Sequence, residues 1–129
     1  MPFVRIDALK ADTARLDALG RAVHEAMTET IDIPADDRFQ VLTSHDGTRG
    51  TLRYDDGYLG IRRDDDLVFV SITMRRGRTP AQKQALYRRI AELAEEYAGT
   101  EPRNVFVRLT ENEPIDWSFG DGVAQYAVG

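Results

Sequence analysis

The stretch LVFVSITMRRGRTPAQKQALYRRIAELAEEYAGTEPRNVFVRL, residues 67–109, decides the fold. It opens on an apolar run, Leu67-Val68-Phe69-Val70-Ser71-Ile72, with the length and β-branched content of a strand. It closes on a second such run, Val105-Phe106-Val107-Arg108-Leu109. Between them, Thr79-Pro80-Ala81-Gln82 carries three marks of a helix start: a hydroxyl at the N-cap, proline at the first helical position, and glutamine three residues after the cap. Leu86, Ile90, Leu93 and Tyr97 then recur on one helical face. Gly99 supplies the stop, with Pro102 just beyond. A crossover helix of this length joins parallel strands with a right-handed connection.

The same pattern stands upstream. Phe3, Val4 and Ile6 signal a short strand, and Leu16, Leu19, Val23, Met27 and Ile31 follow at steps of three and four. Asp12 or Thr13 caps this helix, and Ile33-Pro34 is expected to end it, because a residue before proline avoids the helical region. A strand is expected from Phe39 to about Thr43. The chain therefore repeats one strand-helix-strand unit, roughly over 2–46 and 66–111, within a single domain covering 1–129. The expected class is α/β (α+β in some schemes), a four-stranded sheet with two helices on one face. Residues 47–63 hold Gly47, Gly50, Gly57 and Gly60 beside Tyr54, Tyr58 and Leu59, and predict a hairpin-like excursion. The tail, 112–129, gathers Trp117, Phe119 and Tyr126 around Gly120 and Gly122 and predicts a short hairpin or flap.

Two helices leave the other sheet face bare. The runs 67–72 and 105–109 are nearly continuously apolar, whereas a sheet with one wet face alternates. This predicts that further copies cover the open face in a cyclic homo-oligomer. The alternative is a monomer whose loop 47–63 folds across it.

Composition narrows the function. The 129 residues are 42% hydrophobic and 30% charged, which suits one compact domain. A net charge of −5 argues against a nucleic-acid partner. With no cysteine, thiol nucleophiles, disulfides and thiolate metal sites are excluded, and a cytoplasmic location fits. His24 and His45 alone do not suggest zinc, and Asp64-Asp65-Asp66 lacks EF-hand spacing and reads as a turn, so no metal is expected. No apolar run approaches the ~18 residues of a membrane span. Neither GxxxxGK[ST] nor a GxGxxG between strand and helix occurs, and no cofactor is expected.

Pro2 is the first candidate for chemistry. Cells usually clip an initiator Met that precedes proline, which would leave Pro2 a free secondary amine titrating near neutrality. Such an amine is a base when neutral, an acid and cation when protonated, and a nucleophile toward carbonyls. Arg75, Arg76 and Arg78 precede a helix N-terminus and together suit a carboxylate. Asp36-Asp37, beside Arg38, is either a functional carboxylate pair or a solvated turn. Trp117, Phe119 and Tyr126 either wall a site or merely pack the tail.

Proline after Met at the head of a strand, the duplicated unit, and a helix opening Thr79-Pro80-Ala81-Gln82-Lys83 resemble the tautomerase superfamily, and within it the malonate semialdehyde decarboxylase group. The similar stretches are His24-Glu25-Ala26-Met27, IPADDRFQ at 33–40, Arg76-Gly77-Arg78 before Gln82-Lys83, Thr110-Glu111-Asn112, and Asp116-Trp117-Ser118-Phe119-Gly120 with Ala124-Gln125-Tyr126. The resemblance implies two βαβ units in a mixed sheet, a homotrimer and a cofactor-free site. Residue by residue, it implies Pro2 as the catalytic proline and Asp37 as the acid that activates water or tunes that proline. It implies Arg76 and Arg78 as the pair that binds a substrate carboxylate and polarises its carbonyl. Trp117, Phe119 and Tyr126 would wall the site, with Arg75 also in reach of substrate. The implied activity is decarboxylation of a small 3-oxo acid, malonate semialdehyde to acetaldehyde and carbon dioxide. Keto–enol tautomerisation or hydration of small 2-oxo or unsaturated acids is the alternative on the same site, and a non-catalytic carboxylate-binding trimer is an alternative of another class. The chain departs from the expected pattern at Gly77, where proline would stand between the arginines, and glycine makes that loop more mobile.

Overall fold

The computed structural model describes residues 2–48 and 50–127. Met1, whose removal the sequence invokes, and the last two residues of the expected flap lie outside the described residues. The regular elements are β1 (Phe3–Leu9), α1 (Thr13–Thr30), β2 (Gln40–His45), β3 (Val68–Arg75), α2 (Pro80–Ala98) and β4 (Val105–Asn112). The sheet order is β2-β1-β3-β4. β1 runs parallel to β2 and β3 parallel to β4, while β1 and β3 pair antiparallel at the centre. Two βαβ units thus join edge to edge in one mixed sheet, as the duplication predicts.

Local chemistry sets the helices. Asp12 caps α1 by accepting from the Arg15 amide at 2.8 Å. Thr79 and Gln82 close the expected capping box on α2, and Gly99 ends that helix in the left-handed conformation at φ 66°. The end of α1 differs from expectation. Ile31 still donates to the Met27 carbonyl at 3.1 Å, but Asp32 adopts φ 58° and breaks the spiral before Pro34 is reached. β2 starts at Gln40 rather than Phe39, and β3 and β4 run three residues past their apolar cores. Backbone pairing from Thr73–Thr110 to Arg75–Asn112 continues there whatever the side chains.

Both helices pack on the sheet face formed by Val4, Ile6, Ala8, Val70, Ile72 and Met74. They contribute Leu19, Val23, Met27, Leu86, Ile90 and Leu93, all buried. Gly20 permits the close approach of α1 to β2: a Cβ there would lie 2.7 Å from Gln40 Oε1. The Gln40 side-chain amide donates to the Gly20 carbonyl at 2.8 Å and seals the contact.

The expectation of an apolar second face needs correction. Successive strand residues face opposite sides, which puts Phe3, Arg5 and Asp7, Phe69, Ser71 and Thr73, and Phe106, Arg108 and Thr110 on the open face. Its centre is a polar row in register, Arg5–Ser71–Arg108, with Arg108 donating to Ser71 Oγ at 3.4 Å. Phe69 meets Phe106 edge-on at 5.1 Å beside that row.

The segment 47–63 is no hairpin among its described residues. It is a series of turns with one 3-10 turn, Tyr58–Gly60. Asp46 and Asp55 accept from the Thr48 and Gly57 amides, and such local bonds compete with strand pairing. Leu52 and Tyr54 fold onto Leu9, Leu67 and Phe69 and cover one end of the open face. The tail is a flap without strands among its described residues. Gln125 ties it together, accepting from the Phe119 amide at 2.9 Å and donating to the Gly120 carbonyl at 3.0 Å.

Candidate active site

Because β1 and β3 are antiparallel, β1 and β2 begin at the sheet end where β3 and β4 finish. Four chain segments therefore meet there: Pro2 ahead of β1, the turn ahead of β2, the arginine loop after β3, and the tail after β4.

Pro2 is buried at the mouth of β1. It lines a pocket of about 240 Å³ with Phe3, Phe39, Trp117, Ser118 and Phe119. Trp117 and Phe119 stack at 5.4 Å, and Phe119 meets Tyr126 edge-on at 4.8 Å. Trp117 Nε1 donates to Asn112 Oδ1 at 2.7 Å, which anchors the aromatic wall to the end of β4. The Arg75 guanidinium lies 4.5 Å from the centre of the Tyr126 ring, a cation–π contact that ties the end of β3 to the same wall.

Asp37 closes the turn 34–37, its amide donating to the Pro34 carbonyl at 3.0 Å. Two residues on, the Phe39 carbonyl accepts from the Val4 amide at 3.1 Å, which lays this segment beside the residues following Pro2. Burial pushes the Asp37 carboxyl above the usual carboxylate range, against the pull of the chain's amino-terminal charge. Asp36 raises it further and His24 opposes, both by smaller amounts. A carboxyl displaced this way is a functional-site signal.

Arg76 and Arg78 stand apart from the Pro2 pocket. With Arg75, Gly77, Asp32 and Gln82 they border a separate polar pocket of about 390 Å³. Arg76 pairs with Glu113 at 2.9 Å, and Arg78 donates to the Arg75 carbonyl at 3.2 Å. Arg75 alone of the three touches both the polar pocket and the aromatic wall. Gly77 has φ 128°, which proline's ring cannot adopt, so this arginine loop follows a path that a proline would forbid.

Phe3, Phe39 and Ser118 join the pocket without having been singled out from sequence. Phe3 and Phe39 carried a signal only as strand residues; their exposure, 38% and 52%, shows when the edge of the sheet is built. Among the described residues no group of three or more His, Asp or Glu is placed to hold a metal ion, and no helix is long and apolar enough to cross a membrane.

A small apolar pocket around Pro2, on a duplicated βαβ sheet, defines a class. The chain belongs to the tautomerase superfamily: two family models, each described as tautomerase enzyme, match residues 2–58 and 37–120. The probable tautomerase YusQ of Bacillus subtilis (strain 168) is 39% identical over 127 residues, covering 97% of this chain and 98% of YusQ. FG41 malonate semialdehyde decarboxylase inhibited by 3-bromopropiolate superposes with a TM-score of 0.87 at 38% identity, covering 96% of this chain and 93% of that one. A second malonate semialdehyde decarboxylase, studied for its decarboxylase and hydratase activities, gives 0.86 at 32% identity, covering 96% and 95%. A fused 4-OT described as a symmetric trimer shares the fold at 18% identity, with a TM-score of 0.71 over 98% of this chain and 99% of that one.

Proposed function

We propose that this protein is a cofactor-independent decarboxylase of a small 3-oxo acid, converting malonate semialdehyde to acetaldehyde and carbon dioxide. The observation that carries this reading is Pro2 buried in an apolar pocket at the sheet end that also holds Asp37 and Arg75. Similarity to two malonate semialdehyde decarboxylases supports it. Removal of Met1 frees the Pro2 amine. Arg75 takes the substrate carboxylate at the edge of the aromatic wall, while Arg76 and Arg78 add positive charge from the polar pocket. Protonated Pro2 polarises the aldehyde by hydrogen bonding, or neutral Pro2 adds to it and, with uptake of one proton, loses water to leave an iminium. Either form accepts the electron pair of the breaking C–C bond as carbon dioxide leaves. The resulting enol or enamine takes a proton on carbon, and hydrolysis or tautomerisation returns acetaldehyde and Pro2. Asp37, as its anion, would hold Pro2 cationic; as the acid, it would return the proton.

A second reading follows from the same groups. Asp37 can activate water toward an unsaturated acid, and neutral Pro2 can shuttle protons in a 2-oxo acid. Relatives named as a probable tautomerase and as a decarboxylase with hydratase activity favour keeping it.

The protein acts as a trimer in this proposal. Phe3, Phe39, Val41 and Phe106 remain exposed on a single chain, and the distant fused 4-OT of this fold is a trimer. Light scattering should give three times the 14.5 kDa of one chain.

The deciding experiment follows malonate semialdehyde, phenylpyruvate enol and 2-oxo-3-pentynoate by NMR with Met-free protein and with Pro2→Ala. Loss of about 100-fold or more in the variant is expected for a group that transfers the proton. Equal rates would remove Pro2 from the chemistry. Saturable carboxylate binding without turnover of any of the three acids would identify a binding module.

A further inference from the structure

The reaction above leaves one buried titratable group unused. His24 lies on the core-facing side of α1 and is 7% exposed. Its Nε2 sits 2.9 Å from the Ala35 carbonyl. A carbonyl only accepts, so Nε2 carries a proton, and in the neutral ring Nδ1 is a bare acceptor. That Nδ1 is buried with no hydrogen-bond partner among the described residues. Packing alone does not call for such a side chain, since an apolar one fills the space without an orphan nitrogen.

What the bond does is hold geometry. Ala35 is the second residue of the turn closed by the Asp37 amide on the Pro34 carbonyl. His24 hooks this turn to α1 from one side, and the Val4 amide hooks Phe39 to β1 from the other. Asp37 is suspended between the two hooks. The charges that bear on Asp37 are the chain's amino terminus, Asp36 and, when protonated, His24 itself. Glu25, the neighbour of His24 on its own helix, is engaged elsewhere by the Tyr97 hydroxyl and Arg21.

We propose that His24 is a positioning residue that holds the turn 34–37 so that the Asp37 carboxyl stands beside the Pro2 amine. This rests on the assignment of Pro2 and Asp37 as reacting partners.

The test uses Met-free protein in four forms: wild type, His24→Gln, His24→Leu and His24→Asn. Glutamine places an N–H at the depth of the imidazole Nε2; leucine cannot donate; asparagine is one bond too short. Their folding is checked by thermal melts, and His24→Asn keeps the comparison open if His24→Leu is unfolded. The primary readout is the titration of the Pro2 nitrogen by ¹⁵N NMR, together with hydrogen exchange at the Asp37 amide. His24→Leu and His24→Asn should lower the Pro2 midpoint by about half a pH unit or more, because the carboxylate no longer sits against the ammonium. Exchange at Asp37 should quicken by about tenfold or more as the turn opens locally. In turnover, kcat should fall about tenfold with KM changed by less than about threefold, the mark of lost orientation rather than lost binding. His24→Gln should match wild type in all three. A wild-type Pro2 midpoint in folded His24→Leu or His24→Asn overturns the proposal, and so does a His24→Gln that fails as they do. If the Pro2 midpoint moves as expected while no variant, wild type included, decarboxylates malonate semialdehyde, His24 keeps its role and the decarboxylase reading falls.

Discussion

Where β1 finishes, Asp64 accepts from the Asp66 amide, from Asn104 Nδ2 and from Arg103 at 2.9, 2.8 and 2.7 Å. The Asp66 bond does most to hold its carboxyl below the usual range. Where β1 begins, burial pushes Asp37 the other way. The neighbours of the two carboxyls follow the same division. At the far end Arg15 donates to the Asp66 carbonyl and Thr100, His45 pairs with Asp7 at 2.8 Å, and buried Asn104 bonds Asp64 through both donor and acceptor. At the Pro2 end Arg75 rests on the face of Tyr126, and His24 keeps a buried nitrogen without a hydrogen bond among the described residues. One end satisfies its polar groups internally and locks the chain. The other keeps them in surroundings that shift their chemistry, which is what a reacting site requires.

Of the effects that contrast the two ends, the largest falls on their arginines. Arg75→Ala should lower kcat/KM about 10- to 100-fold, mainly through KM, for one lost charge-assisted contact to the substrate carboxylate. Its melting temperature should barely move. Arg103→Ala should leave steady-state kinetics alone and lower the melting temperature. Equal loss of turnover in both variants would erase the distinction.

Next in size is Asn104→Ala. It strips partners from the Asp64 amide and carboxyl around a residue that is 1% exposed, which should cost about 1–3 kcal/mol by urea unfolding. Turnover per folded molecule should not change. A variant as stable as wild type would mean that the far end is not the lock described.

The smallest effects carry the sharpest sign. The Asp64 carboxyl titrates lower folded than unfolded, so it adds stability above its unfolded value and loses it as pH falls through the folded one. Asp64→Asn should therefore melt below wild type at pH 7, with the gap closing in acid. The Asp37 carboxyl titrates higher folded than unfolded, so the native state is favoured while it is protonated and loses ground as pH rises through the raised value. Asp37→Asn should accordingly melt at or above wild type at pH 7, with the gain absent in acid, although turnover falls. Melts of both variants from pH 3 to pH 7 settle it: gaps of the same sign would end the contrast.

Much of the frame was legible in the chain. Thr79, Pro80, Gln82 and Gly99 placed α2 to the residue, because caps and stops act over three or four neighbours. The duplicated apolar pattern marked both βαβ units. Three features were not read from the pattern. The end of α1 depends on a left-handed Asp32, the segment 47–63 on aspartate side chains bonding nearby amides, and the polar centre of the open face on which strands stand side by side.

Pro2, Asp37, Arg75 and Trp117 could each be picked out from residue type and local setting. That Arg75 rather than Arg76 or Arg78 reaches the aromatic wall, and that His24 holds the turn carrying Asp37, required the assembled sheet. Caps, turns and periodicity are short-range and are written in adjacent residues. The antiparallel meeting of β1 and β3, which gathers four distant connections at one end, is a long-range packing solution that no local stretch encodes.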